Sequence, residues 1–348
     1  MLKLFQPGEF HPRLPFHMVW LSTSACNARC QHCSSSSAFQ APDELTTKEA
    51  TGMIDQLVNA GVLDLAVSGG EPFLRRDLFE ITRYAVRKGL NVGIGSNGGN
   101  VTKAQILELV ECGISRFQVS LDGFEGAHDA LRCWPGLFQR VIRTIENAAR
   151  FGLRVHVCST INKLNFQQLE DFVEFAAGLP IARVNLSRYV PTGRGTDGLD
   201  LSAAEWRSVI HKCISLRNRF KGKLEVVSHL AQQIMVDHEV EQMPGFIGCQ
   251  AGIGQGCITA KGTVFPCVLL PIPLGNMREE SLKQIWLQSP VIRELQTRAT
   301  LQGECGNCAW KSRCGGCRAV AYARTGDYTA PDPRCWLVSP NKLQACVA

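Results

Sequence analysis

The sequence predicts an α/β fold: a partial (β/α)6 TIM-like barrel followed by a small C-terminal Cys-rich domain. Three observations predict it. Short apolar runs alternate with amphipathic stretches from residue 18 to about 220. After about residue 222 that rhythm stops, and residues 249–335 become rich in Cys and Gly. Most of the 16 cysteines fall in two groups, one near residue 30 and one between 249 and 335.

The candidate strands are 18–24, 63–68, 90–96, 114–121, 153–160 and 182–189, each a short run rich in β-branched and apolar residues. Candidate helices lie near 46–60, 76–88, 102–112, 136–151, 165–178 and 202–219. The first helix shows how such signals read. Thr46 caps it, Glu49 completes a capping box, apolar residues follow at helical spacing, and Gly61 closes it. Six strand–helix units at this rhythm imply parallel strands joined by right-handed crossovers. In such barrels chemistry gathers at the C-terminal strand ends. One further helix, 281–299, is expected to bend near Pro290.

A chain of 348 residues, 45% hydrophobic and 20% charged, can bury a full core. Its net charge of +6 is mild for this size, and no nucleic-acid partner is expected. A weakly basic surface suits an acidic electron-donor protein or a carboxylate-rich substrate. The first 16 residues lack a continuous apolar h-region and are broken by prolines, so no signal peptide is read. No run of about 18 apolar residues predicts a membrane span. The expected compartment is the cytoplasm, where clustered cysteines point to metal or cluster ligation rather than disulfides.

Cys26, Cys30 and Cys33 follow the first strand with spacing x3 and x2. Three thiolates can hold a cubane cluster and leave one iron open, as a catalytic metal requires. A zinc site completed by His32 is the alternative. Gly69, Gly70, Glu71 and Pro72 form the tip of the second strand, where bare glycines let backbone approach a ligand. Ser96 and Asn97 end the third strand, and Ser120 and Asp122 the fourth. Turn formation by Asn-Gly and Asp-Gly is the alternative reading, but a functional role is favoured because three successive strand tips agree. Arg132 follows shortly, Thr160 ends the fifth strand, and Arg194 lies in the PTGRG string after the sixth. Arg194 could clamp a carboxylate or simply sit in a stiff turn. The later cysteines are Cys249, Cys257, Cys267, Cys305, Cys308, Cys314, Cys317 and Cys335, enough for two four-cysteine sites. Paired zinc ribbons are their alternative reading.

On these motifs the chain resembles the radical S-adenosylmethionine (SAM) enzymes, and its C-terminal cysteines resemble a SPASM domain. The resemblance implies a SAM-binding 4Fe-4S cluster on Cys26, Cys30 and Cys33, whose open iron chelates SAM. It implies that one electron cleaves SAM to a 5′-deoxyadenosyl radical that abstracts a substrate hydrogen. His32 matches the aromatic position against adenine, and the GGEP loop matches the one that binds the SAM amino group. Ser96, Asn97, Ser120, Asp122, Arg132, Thr160 and Arg194 fall where relatives contact SAM or substrate. Two auxiliary 4Fe-4S clusters are implied, one on Cys249, Cys257, Cys267 and Cys317, the other on Cys305, Cys308, Cys314 and Cys335. The Cys314–Cys317 spacing is one residue shorter than the commonest form, which leaves that partition open. Reduced flavodoxin or ferredoxin is the implied electron donor.

The implied organisation is an N-terminal extension (1–17), the barrel (18–222), a linker region (223–248), the SPASM domain (249–337) and a tail (338–348). PTGRG and the strings around Cys314–Ala319, Thr325–Tyr328 and Asp332–Cys335 look like the alternative heme-biosynthesis branch, which trims tetrapyrrole side chains. The C-terminal strings are also similar to maturases of ribosomally made peptides. With only about 17 residues before the first strand, no fused peptide-recognition domain is expected. A sugar or nucleoside substrate is the third possibility. Cys112 and Cys213 read as buried hydrophobes, Cys158 as a strand residue, Cys133 as a neighbour of the Arg132 motif and Cys346 as a tail residue. His11, His17, His156 and His211 read as structural.

Overall fold

The computed structural model describes residues 13–228 and 230–338. Most of the expected N-terminal extension with His11, and nearly all of the tail with Cys346, therefore lie outside the described residues.

Ten strands form one sheet in the order β10-β9-β8-β1-β2-β3-β4-β5-β6-β7. The first six are β1 (His17–Leu21), β2 (Asp64–Ser68), β3 (Asn91–Ser96), β4 (Arg116–Ser120), β5 (Val155–Ile161) and β6 (Arg183–Arg188). All six pair in parallel with their neighbours, as right-handed strand–helix units require. Between them run α1 (Thr47–Asn59), α2 (Leu78–Arg87), α3 (Lys103–Cys112), α4 (Glu125–Arg132), α5 (Leu137–Arg150) and α6 (Leu169–Ala176), and α7 (Ala203–Arg219) follows β6. These helices bury one face on the outside of the sheet, against Met18, Trp20, Leu65, Val67, Phe117 and Val184. The alternate residues of each strand face a lumen.

The sheet continues past the six predicted strands at both edges. Residues 223–248, read as a connection, carry β7 (Glu225–Val227), which pairs in parallel with β6, and the short α8 (His238–Gln242). At the other edge β8 (Gln255–Ile258) pairs in parallel with β1. Antiparallel β9 (Thr263–Phe265) and β10 (Gly275–Asn276) follow it. The Cys-rich segment thus shares hydrogen bonds with the barrel's first strand.

The helix expected over 281–299 is two: α9 (Leu282–Gln288) and α10 (Pro290–Thr297). Ser289 precedes a proline, which pushes it out of the helical region to φ −66°, ψ 123°, and its side chain caps α10 by accepting from Ile292 N–H. Then come α11 (Gly303–Gly306) and α12 (Arg318–Thr325) among the last cysteines. Helix α4, between β4 and α5, is not among the candidate helices of the sequence. Among the described residues no helix is long and apolar enough to cross a membrane.

Candidate active site

The C-terminal ends of the strands open on a cavity of about 300 Å³. Its lining includes Cys26, Cys30, His32, Cys33, Gly69, Gly70, Ser96, Asn97, Ser120, Arg132, Thr160 and Arg194. Sequence reasoning named all twelve. Glu71, Pro72 and Asp122 are buried behind that surface.

The loop that carries the three thiols is held on every side. At its base Ala38 N–H donates to Ser24 O at 2.9 Å, and Cys26 N–H to Ala38 O at 3.1 Å. The buried carboxylate of Glu44 accepts from Ser24 N–H (2.7 Å), Ser24 Oγ (2.6 Å) and Thr23 Oγ1 (3.1 Å). From β2, Gly70 N–H donates to Thr23 O (2.7 Å) and Glu71 N–H to Ala25 O (2.8 Å). A Cβ on Gly70 would stand 2.0 Å from Ala25 O, so only glycine lets these chains meet. From beyond β6, Gly193 sits at φ +60°, and its Cβ would fall 2.4 Å from the carbonyls of Cys33 and Ser34. Arg194 donates from Nε to Cys30 O (3.1 Å) and from Nη1 to Ser37 O (2.8 Å). Its guanidinium therefore grips the cysteine loop itself.

The buried acids brace the strand tips. Glu71 accepts from Asn97 N–H (2.8 Å) and Ser96 Oγ (2.9 Å), tying β2 to β3. Burial pushes this carboxyl up to about 7, against those donors. Asp122 is fully buried and takes Arg132 Nε and Nη2, each at 2.7 Å, and Thr160 N–H at 2.7 Å. Arg132 Nη1 then lies 3.9 Å from Cys30 Sγ, placing a positive charge beside the thiol. Burial holds His32 down at about 4, so it presents a neutral ring, with Asp122 Oδ2 at 3.9 Å. Burial raises Cys26, and raises Cys30 to about 11. For Cys33 burial is overcome by hydrogen bonds from Ser35 and Ser37, and its thiol is lowered.

Three thiols on one cavity wall, with a cation beside them and no fourth cysteine among the described residues that line it, fit a cluster that keeps an open iron. The later cysteines gather into two sets. Cys267 has Cys249 and Cys317 as charge neighbours, and Cys257 has Cys267. Cys305, Cys308, Cys314 and Cys335 line a second, separate pocket. Burial pushes Cys267 and Cys314 up to about 12, so ligation there must expel protons. Among the described residues no three His, Cys, Asp or Glu side chains converge tightly enough for a single ion. Cys112 and Cys213 are buried, and Cys133 is exposed.

A larger cavity of about 1010 Å³ occupies the lumen below. It shares Ser68, Gly95, Gln118 and Ser187 with the upper cavity, and it reaches Cys249, Cys267 and Cys317. Small side chains at Ala66 and Gly95 leave this space open, while the Arg116 guanidinium lies across Gly93, 2.7 Å from where a Cβ would stand. Arg188, on both cavities, was missed in the sequence. It pairs with fully buried Asp332 at 2.8 Å, and Asp332 also accepts Cys317 N–H at 2.8 Å. The two-residue alternation along β6 puts Arg188 in phase with Val184 and Leu186 on the helix side, where its guanidinium lies 4.8 Å from the Trp206 ring, so no strand pattern flags it.

The comparisons with known proteins agree with this geometry. The model of the radical SAM superfamily matches residues 20–177, and that of SPASM, an iron–sulfur cluster-binding domain, matches residues 249–309. An AdoMet-dependent heme synthase of Methanosarcina barkeri is 34% identical over 347 residues, covering 95% of this chain and 98% of the relative. Mycofactocin maturase MftC of Mycobacterium tuberculosis is 29% identical over 334 residues, covering 92% and 83%. The crystal structure of Streptococcus suis SuiB bound to S-adenosylmethionine shares the fold, with a TM-score of 0.78 at 18% identity, over 93% of this chain and 78% of that one. By its relatives and the family models that match it, the chain belongs to the radical SAM enzymes with a C-terminal SPASM iron–sulfur domain.

Proposed function

We propose that this enzyme removes carboxyl groups from the side chains of a tetrapyrrole, converting propionate to vinyl. The observation that carries this reading is end-to-end similarity to the M. barkeri heme synthase, at 34% identity. An Fe-coproporphyrin III synthase of the same organism, 30% identical over 369 residues, and a pre-heme d1 synthase of Dinoroseobacter shibae, 28% identical over 348, support the substrate class. The lumen suits it: about 1010 Å³, with an open wall of Gly and Ala and several arginines.

Cys26, Cys30 and Cys33 would hold the SAM-binding cluster. Cys249, Cys257, Cys267 and Cys317 would hold one auxiliary cluster, and Cys305, Cys308, Cys314 and Cys335 the other. When bound, these centres supply the electron that cleaves SAM to a hydrogen-abstracting 5′-deoxyadenosyl radical, and an acceptor for the electron that decarboxylation releases. Gly69 and Gly70 bring bare backbone to the SAM position, and His32, Ser96, Asn97, Ser120 and Thr160 line its walls. Arg132 and Arg194 fix the loop and its charge. The side chain loses one hydrogen atom, one electron and CO2, which leaves the vinyl group. Reduced flavodoxin or ferredoxin in the cytoplasm would serve as electron source.

The test is anaerobic turnover of Fe-coproporphyrin III with SAM and dithionite. The expected products are vinyl-bearing tetrapyrrole, CO2 and 5′-deoxyadenosine. Cys30→Ala should abolish 5′-deoxyadenosine while the auxiliary iron remains. A peptide substrate is the second reading, favoured by MftC. 5′-Deoxyadenosine without any tetrapyrrole product would shift the assignment there.

A further inference from the structure

The mechanism above uses the upper rim of the lumen and leaves its floor without a role. At the floor, His156 on β5 stands in register with Arg183 on β6 and Gln118 on β4. His156 is only 3% exposed, yet both of its ring nitrogens lack a hydrogen-bond partner. The Nε of Arg183 is also buried without a partner. Both residues line the 1010 Å³ cavity. Buried polar atoms in a protein that holds its waters and ligands are rarely left unsatisfied, so three such nitrogens on one cavity wall are candidate donors and acceptors for a bound group.

The surrounding charges say what. Asp64 is already committed to His17 Nδ1 (2.6 Å) and to both terminal nitrogens of Arg116 (2.7 and 2.6 Å). Glu225 takes Arg183 Nη2 at 2.6 Å, with Arg154 at 3.8 Å. The floor therefore holds three guanidinium groups, of Arg116, Arg154 and Arg183, against two carboxylates, of Asp64 and Glu225. One positive charge is surplus. Burial, with Arg183, Arg154 and Arg116 nearby, holds His156 neutral by pushing it down to about 4. A neutral imidazole N–H and a guanidinium Nε–H are two donors that the two oxygens of one carboxylate can accept.

We propose that His156 and Arg183 form a carboxylate-anchoring subsite at the floor of the lumen, which holds a side-chain carboxylate of the substrate at the end opposite the cysteine loop. This inference rests on the tetrapyrrole reading. Along β5 the floor at His156 and the rim at Thr160 are four residues apart, about 13 Å at the usual rise of a strand. A macrocycle with carboxylates on opposite edges spans such a gap. One edge then meets the floor while the side chain on the far edge is presented at the rim. The floor is thus a ruler that selects substrates by the distance between anchored and reacting groups.

The test is equilibrium binding of Fe-coproporphyrin III and of its tetramethyl ester to the cluster-loaded enzyme. Binding is followed anaerobically by tetrapyrrole absorbance, with SAM and no reductant. The wild type should prefer the acid over the ester. His156→Leu and Arg183→Met should each reduce that acid-to-ester preference about tenfold. Because the preference is a ratio within one protein, partial loss of folded enzyme does not alter it. An unchanged ratio in both variants overturns the anchor and leaves the tetrapyrrole reading standing. A wild-type enzyme that binds neither compound overturns the tetrapyrrole reading, and the anchor with it.

Discussion

Gly70 and Glu71 do different work one residue apart. Gly70 has no space for a side chain, since its Cβ would meet Ala25 O at 2.0 Å and Cys26 Cβ at 3.0 Å. Gly70→Ala must push the cysteine loop away from β2. The expected result is loss of the iron bound by Cys26, Cys30 and Cys33, with auxiliary iron retained, read by iron counting and EPR. Glu71 carries a carboxyl raised by burial to about 7, above its unfolded value near 4.5. A raised acid favours the folded state below pH 4.5 and loses that contribution as pH rises to 7. The change is on the order of 3 kcal/mol across that window, at about 1.4 kcal/mol per pKa unit. Chemical denaturation from pH 5 to 7.5 should show a steeper fall in stability for the wild type than for Glu71→Gln. The residue types of the site were legible because cysteine spacing and strand-tip glycines are local signals. The inward turn of Glu71 and Asp122 was not, because it depends on neighbouring strands that a single segment does not reveal.

Among the elements, helix-start signals were the readable part. Helices α1 and α7 begin with capping boxes that the sequence spells out, Thr46 with Glu49 and Ser202 with Glu205. Ser202→Ala should cost about 1 kcal/mol in denaturant unfolding, the usual worth of a cap. The three-residue β7 and the two-residue β10 are too short to show any alternation. Helix α4 was hidden because its eight residues bury His128 and Arg132 along with Leu131, a polar inner face that a hydrophobic template passes over. The break between α9 and α10 shows proline acting on the residue before it.

At the scale of the molecule, the pairing of β8 with β1 joins the Cys-rich segment to the barrel through four residue pairs. Removing residues 249–348 would strip β1 of a neighbour and expose an unpaired parallel edge. The truncated chain should aggregate, as read by light scattering, and the full chain should melt in one cooperative transition by calorimetry. That long-range pairing could not be read from either segment alone.

The loop of Cys26, Cys30 and Cys33 touches the tip of β2 through Gly70 and the chain beyond β6 through Gly193 and Arg194. It therefore works as a keystone across an unclosed arch, gripping strands far apart in sheet order. Metal loading, which stabilises only the arrangement that receives it, would then also set how tightly the arch curves.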